Sequence, residues 1–316
     1  MDVALLIARR VVTSLATLLM VSAIIFAMVE LLPGDAASRI LGREATPENL
    51  QVLRERLHLD RPALVRYGIW LGDIVQGDLG TSLINGRPVA EVLEPRITNT
   101  LQLSLYALLL YLPMTLIPAI VQALRRGKPT DHGLSVLNLM LLSIPDFLLA
   151  AIFLIVFVVW IPIFPAKSSV PQGASMLELI RALTLPACTI AVAMAAYAVR
   201  MLRDNLIEVL ESDYVRMAEL KGLTRLQVLI LHALPNALVP TLNVTALNLA
   251  YLIGSVVVVE RLFAFPGFGS LLVDALQLRD VPMVEAMVLI ASAVYIAANL
   301  LADIGTILLN PRLRRA

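Results

Sequence analysis

Cysteine is nearly absent from this chain: its 316 residues include only Cys188. No intrachain disulfide can form, and no cysteine cluster exists to hold a metal ion. Histidine is as scarce. His58, His132 and His232 fall on three separate segments, a scatter that gives no metal-ligand spacing. Charge is thin as well, with 16% of residues charged and a formal net charge of +1. A nucleic-acid partner requires a concentrated basic face, whereas the arginines here are spread between long apolar runs. The chain also lacks a phosphate-cradling loop. Gly127 and Lys128 imitate the end of one, but Gln122 stands where its first glycine belongs, and no Ser or Thr follows Lys128.

What the chain has in abundance is apolar surface. Hydrophobic residues make up 59% of it and the mean hydropathy is +0.84, more than a soluble domain of this size needs for its core. A bilayer is the expected solvent. Crossing a hydrocarbon core takes roughly 20 residues, and six runs qualify, near 11–32, 101–124, 134–161, 183–199, 233–259 and 284–309. Lipid cannot satisfy exposed backbone groups, so each run is expected to be helical, with kinks at Pro113, Pro118, Pro145 and Pro240. Arg9 and Arg10 ahead of the first run, and Ala36, Ala37 and Ser38 behind it, imitate a signal peptide. The run exceeds the apolar core of about 7–15 residues found in signals, so it reads as an anchor.

Basic residues flank the runs unevenly. One side collects Arg9, Arg10, Arg125, Arg126, Lys128, Arg200, Arg203, Arg216, Lys221, Arg225, Arg312, Arg314 and Arg315. The short connections on the other side carry Lys167, Arg181, Arg261 and Arg279. By the positive-inside rule both termini are expected to be cytoplasmic. Residues 33–98 are mixed in polarity and read as a helical external insertion. Thr46 and Pro47 make a helix start, a second short helix is expected over 63–75, and Gly77 to Gly80 supply turn chemistry. Tyr67 and Trp70 suit the headgroup level, and the insertion serves either as a cap on the membrane surface or as a dock for an external partner.

The connection from Arg203 to His232 differs from everything else. Acidic and basic residues, among them Glu208, Glu211, Asp213, Arg216, Glu219, Lys221 and Arg225, alternate with apolar ones as in short amphipathic helices. Gly222 breaks the pattern and admits a sharp, left-handed turn. A second short helix is expected from a cap at Thr224 to Leu234, with Pro235 marking the return into the membrane.

These residues resemble a cytoplasmic motif of the membrane subunits of ATP-binding-cassette importers, in the dipeptide and oligopeptide permease family of binding-protein-dependent transport systems. The motif reads EAA, three residues, glycine, nine residues, then I, any residue, L and P. Arg216, Met217 and Ala218 take its first three places, Gly222 the glycine, His232 the isoleucine, and Leu234 with Pro235 close it. Met217, Glu219 and Leu220 depart from the residues usual in this branch, which leaves docking intact and blurs the individual contacts. The likeness covers nearly the whole chain. It includes Leu32 to Asp35, Leu57 to Pro62, Gly77 to Ser82, Asn99 to Leu101, the stretch from Val259 to Leu271, and Asn299, Asp303 and Asn310 to Arg312.

The resemblance implies an all-α membrane protein with about six transmembrane helices in a bacterial inner membrane. Its parts are the first helix (1–32), the external insertion (33–98) and a permease core (99–316) whose coupling helices (203–235) lie between the fourth and fifth spans. It implies half of a translocation path for di- or oligopeptides, paired with a related but distinct second permease. It further implies two partner ATPases that bind ATP and Mg, an external substrate-binding protein, and no cofactor, metal or catalytic residue in this chain. Coupling to the ATPases falls to Asp213, Tyr214, Arg216, Met217, Ala218, Glu219, Lys221, Gly222, Leu223, His232 and Pro235. Importers of nickel, glutathione and opines share the branch.

Two further groups of residues are candidates. Glu260, Phe263, Pro266, Gly267, Phe268, Gly269 and Asp274 suggest a tight external turn and a short helix dipping back toward the membrane, suited to closing the outer mouth of a path. Asp146 and Asp303 are costly charges in or beside spans, serving either a water-filled path or interhelical hydrogen bonds. An ion-coupled secondary transporter would show repeated broken helices, and no internal repeat is seen. An intramembrane hydrolase using Asp146 and Asp303 would need a catalytic sequence context that neither aspartate has.

Overall fold

A computed structural model describes residues 3–31, 46–48, 50–51, 61–169, 173, 175–238, 240–241 and 256–309. The chain is an all-α membrane protein. In order, its main helices are α1 (Val3–Glu30), α2 (Ala63–Val75), α3 (Val89–Leu124), α4 (Pro129–Ser143), α5 (Asp146–Leu154) with a π-helical turn (Ile155–Trp160), and α6 (Met176–Leu210). There follow α7 (Asp213–Leu220), α8 (Arg225–Gln227) with a second π-helical turn (Val228–Ala233), α9 (Phe268–Leu278) and α10 (Val281–Leu309). Leu6–Glu30, α3, α6 and Val281–Leu301 are each long and apolar enough to cross a bilayer. The helix pair formed by α4, and by α5 with its π turn, qualifies together as a fifth. Most of the fifth expected run (233–259), namely residues 242–255, lies outside the described residues, as do Leu32 to Asp35, Leu57, the side chain of Asp303 and the tail from Asn310.

Proline acts differently at different sites. The chain turns through 108° between α4 and α5, far more than a kink. The cause is local: Ile144, which precedes Pro145, is held extended at φ −90°, ψ 122°, because the proline ring disfavours a helical residue before it. Pro113 and Pro118 lie within α3, which continues through both as one helix, and Pro186 lies inside α6. Pro235 does not close a short helix either. Residues 234–238 continue helically beyond the π turn, whose wider loop relieves the clash between a proline ring and the carbonyl four residues earlier.

Two compact units divide the chain: one comprises residues through Pro95 with Leu271–Leu300, the other Arg96–Ser270 with residues from Leu301 to Asn310. In the first, α2 packs on α1. Phe26, Tyr67 and Trp70 form an aromatic cluster with centroids 5.5–6.1 Å apart, Ser22 Oγ and Tyr67 Oη lie 2.8 Å apart, and Arg66 pairs with Glu30. Tyr67 and Trp70 thus seat α2 against the first span. Asp280, almost fully buried, accepts from the Ser82 hydroxyl and from Leu83 N at 3.1 Å, fastening the turn that closes between Thr81 and Pro88.

In the second unit α6 is the central post, with 72% of its span buried. A capping box starts it: Glu178 N donates to Ser175 Oγ, while Ser175 N donates to Glu178 Oε2 at 2.8 Å. Ala187, Ala191, Ala195 and Ala198 share one helical face and are buried, since small side chains let neighbouring helices approach closely. Around this post pack Leu103, Ala107 and Tyr111 of α3, together with Phe263 and Phe265.

Candidate functional site

The first candidate begins where α6 ends. Ser212 turns the chain into α7, whose apolar face buries Val215 and Ala218 against Val228, with Val209, Leu210 and Leu223 around them. The opposite face stays open. Met217 and Leu220 are 54% and 77% exposed, flanked by exposed Asp213, Arg216, Glu219 and Lys221. Burial on one side fixes the helix, and the apolar residues left over form a knob with none of the described residues upon it.

Gly222 ends this element at φ +87°, in the left-handed region. A β-carbon there would meet nothing within 4 Å, so glycine is needed for its backbone and not for space. Thr224 then caps the next turn, its hydroxyl accepting from Gln227 N and its N–H donating to Gln227 Oε1 at 2.9 Å. The two short helices are stapled together. The Tyr214 hydroxyl donates to the His232 carbonyl at 2.9 Å and accepts from Asn236 Nδ2 at 3.0 Å, while Asn236 also reaches His232 O at 2.7 Å. His232 therefore serves through its backbone. Pro235 is exposed within the continuing helix.

A second tie holds the base of this elbow. Arg203 donates from Nε and Nη2 to the two oxygens of Asp131 at 2.8 and 2.7 Å, and Asp131 also accepts from Gly127 N at 3.0 Å. Arg126 pairs with Glu211 alongside. These contacts join the turn between α3 and α4 to the end of α6 that feeds α7. Nothing in the local sequence around Asp131 advertises a partner 72 residues away.

The second candidate is built on Glu260, whose side chain is fully buried. Thr100 Oγ1 donates to Glu260 Oε1 at 2.5 Å and accepts from Phe268 N at 2.8 Å. Ser270 N donates to Glu260 Oε2 at 3.0 Å, so the carboxylate caps the first turn of α9, where partial positive charge gathers. Asn99 Nδ2 holds the Pro266 carbonyl at 2.8 Å, and Ser168 N donates to Phe263 O at 3.0 Å. The close packing explains the glycines. A β-carbon on Gly267 would collide with the Glu260 carboxylate, and one on Gly269 would sit 2.5 Å from Val257 Cα. Glu260, Phe263, Pro266, Gly267, Phe268 and Gly269 are thus brought together. Asp274 lies farther along α9, half-buried. Asn99 and Thr100 stand at the entry to the second apolar run, with no local sign of a partner about 160 residues on.

Asp146 is half-buried in the first turn of α5, where a helix end favours negative charge. Asn299 spends its amide on the Tyr295 carbonyl one turn earlier, at 2.9 Å. Among the described residues, no group of three or more His, Cys, Asp or Glu side chains is placed to hold a metal.

Comparison with known proteins assigns these features to one family. Residues 3–104 match the N-terminal part, and residues 112–315 the main part, of the binding-protein-dependent transport system inner membrane component. A putative peptide transport system permease protein of Brucella abortus is 38% identical over 309 residues, 98% of each chain. A probable peptide ABC transporter permease protein of Sinorhizobium fredii is 35% identical over 313 residues, again 98% of each. A glutathione transport system permease protein of Escherichia coli is 32% identical over 309 residues, 97% of each. With two family matches that together take in most of its length, this multi-pass membrane chain belongs to the inner membrane components of binding-protein-dependent, ATP-binding-cassette transport systems.

Proposed function

We propose that the chain forms half of the translocation path of a bacterial importer of di- or oligopeptides, driven by two cytosolic ATPases that bind ATP and Mg. A related second permease supplies the other half, and an external binding protein delivers the solute. Both termini face the cytoplasm. The observation that carries this reading is the knob of Met217 and Leu220, exposed on a helix whose other face is locked to the end of α6. A partner that grips the knob moves the end of α6 with it, because Val215 and Ala218 pack with Val209 and Leu210 there, and the Arg203–Asp131 pair braces that end. Nucleotide-driven closure of the ATPases then biases the helices between two arrangements. The turn from Phe263 to Gly269, held by Glu260, closes the outer mouth of the path.

Peptide is favoured as the solute by the peptide permeases among the relatives, and the glutathione permease supports glutathione, itself a tripeptide, as a second reading. Site-directed crosslinking tests the coupling role. With Cys188 replaced by serine, Met217→Cys in the assembled complex is expected to crosslink to an ATPase subunit, with a yield that changes when vanadate traps the nucleotide. Failure to crosslink to any nucleotide-hydrolysing protein overturns it. Vanadate-sensitive uptake of peptides against glutathione, in proteoliposomes carrying the binding protein, separates the solutes. Uptake driven by an ion gradient without ATP would establish a secondary transporter instead.

A further inference from the structure

A cavity of about 270 Å³ opens among α3, α4 and α6, apart from both the knob and the outer turn. Gln122 of α3, Ser135 and Asn138 of α4, and Arg200, Arg203 and Asp204 of α6 line it. These residues share a level with respect to the apolar runs. Gln122 lies two residues before the end of the second run at Leu124, Ser135 one residue into the third, and Arg200 immediately after the fourth ends at Val199. Side chains at such places sit in the headgroup layer on the basic-rich side of the membrane.

Within the cavity, one guanidinium is left unpaired. Arg203 is engaged by Asp131 at 2.7 Å and by Asp204 at 2.8 Å. Arg200 is exposed and has no partner among the described residues. The wall also holds an unfilled hydrogen bond. Gln122 is 2% exposed, its Oε1 accepts from the Ser135 hydroxyl at 3.0 Å, and its Nε2 has no partner. Turning the amide over changes which atom meets Ser135 and still leaves one end unfilled. Buried amides are normally satisfied, so this one is a polar cost carried in the cavity wall, and the donor open to a ligand's oxygen is the Arg200 guanidinium. Asn138 spends its amide N–H on the Ala196 carbonyl at 2.6 Å.

The rim is apolar. Leu139 lines the cavity at 50% exposure, and Val136 and Met140 flank it on α4 at 51% and 59%. A site for a freely soluble anion needs the guanidinium and gains nothing from such a rim. A phospholipid uses both, with its phosphate at Arg200 and an acyl chain along α4. We propose that this cavity binds the phosphate of an anionic phospholipid drawn from the leaflet on the basic-rich side. The binding is independent of which solute the transporter carries.

Native mass spectrometry of the complete transporter, released from nanodiscs of phosphatidylcholine with a minority of phosphatidylglycerol, tests this. The wild type is expected to retain phosphatidylglycerol several-fold above its bulk proportion. Arg200→Gln should bring the retained lipid back to the bulk ratio, whereas Arg225→Gln, on the same side but away from the cavity, should keep the enrichment. Arg200 is exposed, so its variant should unfold at the wild-type temperature, which separates loss of the site from loss of the fold. No enrichment in the wild type, equal enrichment in Arg200→Gln, or equal loss in Arg225→Gln overturns the proposal. In pure phosphatidylcholine nanodiscs, inorganic phosphate is titrated and followed by phosphorus NMR. Phosphate binding that Arg200→Gln abolishes and added phosphatidylglycerol fails to displace would mark a soluble-anion site and overturn the lipid assignment.

Discussion

Glu260 and Gly267 compete for one volume: the carboxylate fills the space that a β-carbon on Gly267 would occupy. The turn from Phe263 to Gly269 is therefore closed around a buried acid and has no room for a larger residue. Gly267→Ala should cost about 1–3 kcal/mol through overpacking. Thermal unfolding of the purified complex measures the loss, and proteoliposome uptake should fall while membrane insertion is unchanged. An unaltered unfolding temperature with full uptake would refute the close packing and the gate.

Thr100 is the hinge of the same arrangement, since its hydroxyl gives to Glu260 and takes from Phe268 N. Thr100→Val keeps the shape and strips both bonds, leaving two partners short. The expected loss is about 1–3 kcal/mol. Thr100→Ser should restore most of it, and rescue of that kind distinguishes the hydroxyl from the volume it occupies.

The Arg203 and Asp131 pair is largely removed from solvent, with side-chain exposures of 22% and 2%. Arg203→Leu abandons a buried carboxylate and should destabilise by about 3–5 kcal/mol. The double change Arg203→Leu with Asp131→Leu should cost clearly less, because no charge is stranded. A double variant as unstable as the sum of the singles would mean the two side chains do not act together; unfolding curves of all three proteins decide the matter.

At Gly222 only the backbone conformation is at stake. Gly222→Val should strain the turn by about 1–2 kcal/mol, and Gly222→Asn less, since asparagine enters the left-handed region more readily. The valine variant is expected to insert and assemble yet hydrolyse ATP without matching uptake. Parallel ATPase and transport assays give the ratio, and a wild-type ratio in the valine variant would remove the elbow from the coupling route.

Much of the architecture was legible because its causes are local. The apolar runs near 11–32, 101–124, 183–199 and 284–309 announce spans, since a bilayer demands about 20 apolar residues in a row. The Ala63–Val75 helix, the left-handed Gly222 and the Thr224 cap follow from capping and turn chemistry within a few residues. The effect of proline is less local. Pro145 turns the chain by 108° where its neighbour is extended, Pro113 and Pro118 leave α3 continuous, and a π turn carries the helix on past Pro235. A proline's effect depends on whether surrounding backbone can absorb the missing hydrogen bond, which the residue itself does not record.

By itself the chain's order of residues determined the solvent, the helical class, the family and the two segments worth examining, because hydrophobic length, charge bias and motif spacing are properties of neighbours. Tertiary structure alone decided which distant groups meet. Asp131 reaches Arg203, Thr100 reaches Glu260, Ser82 reaches Asp280, and Gln122 is left with half an amide unfilled beside Arg200. A buried polar group must find its partner wherever packing brings one, and packing ignores distance along the chain.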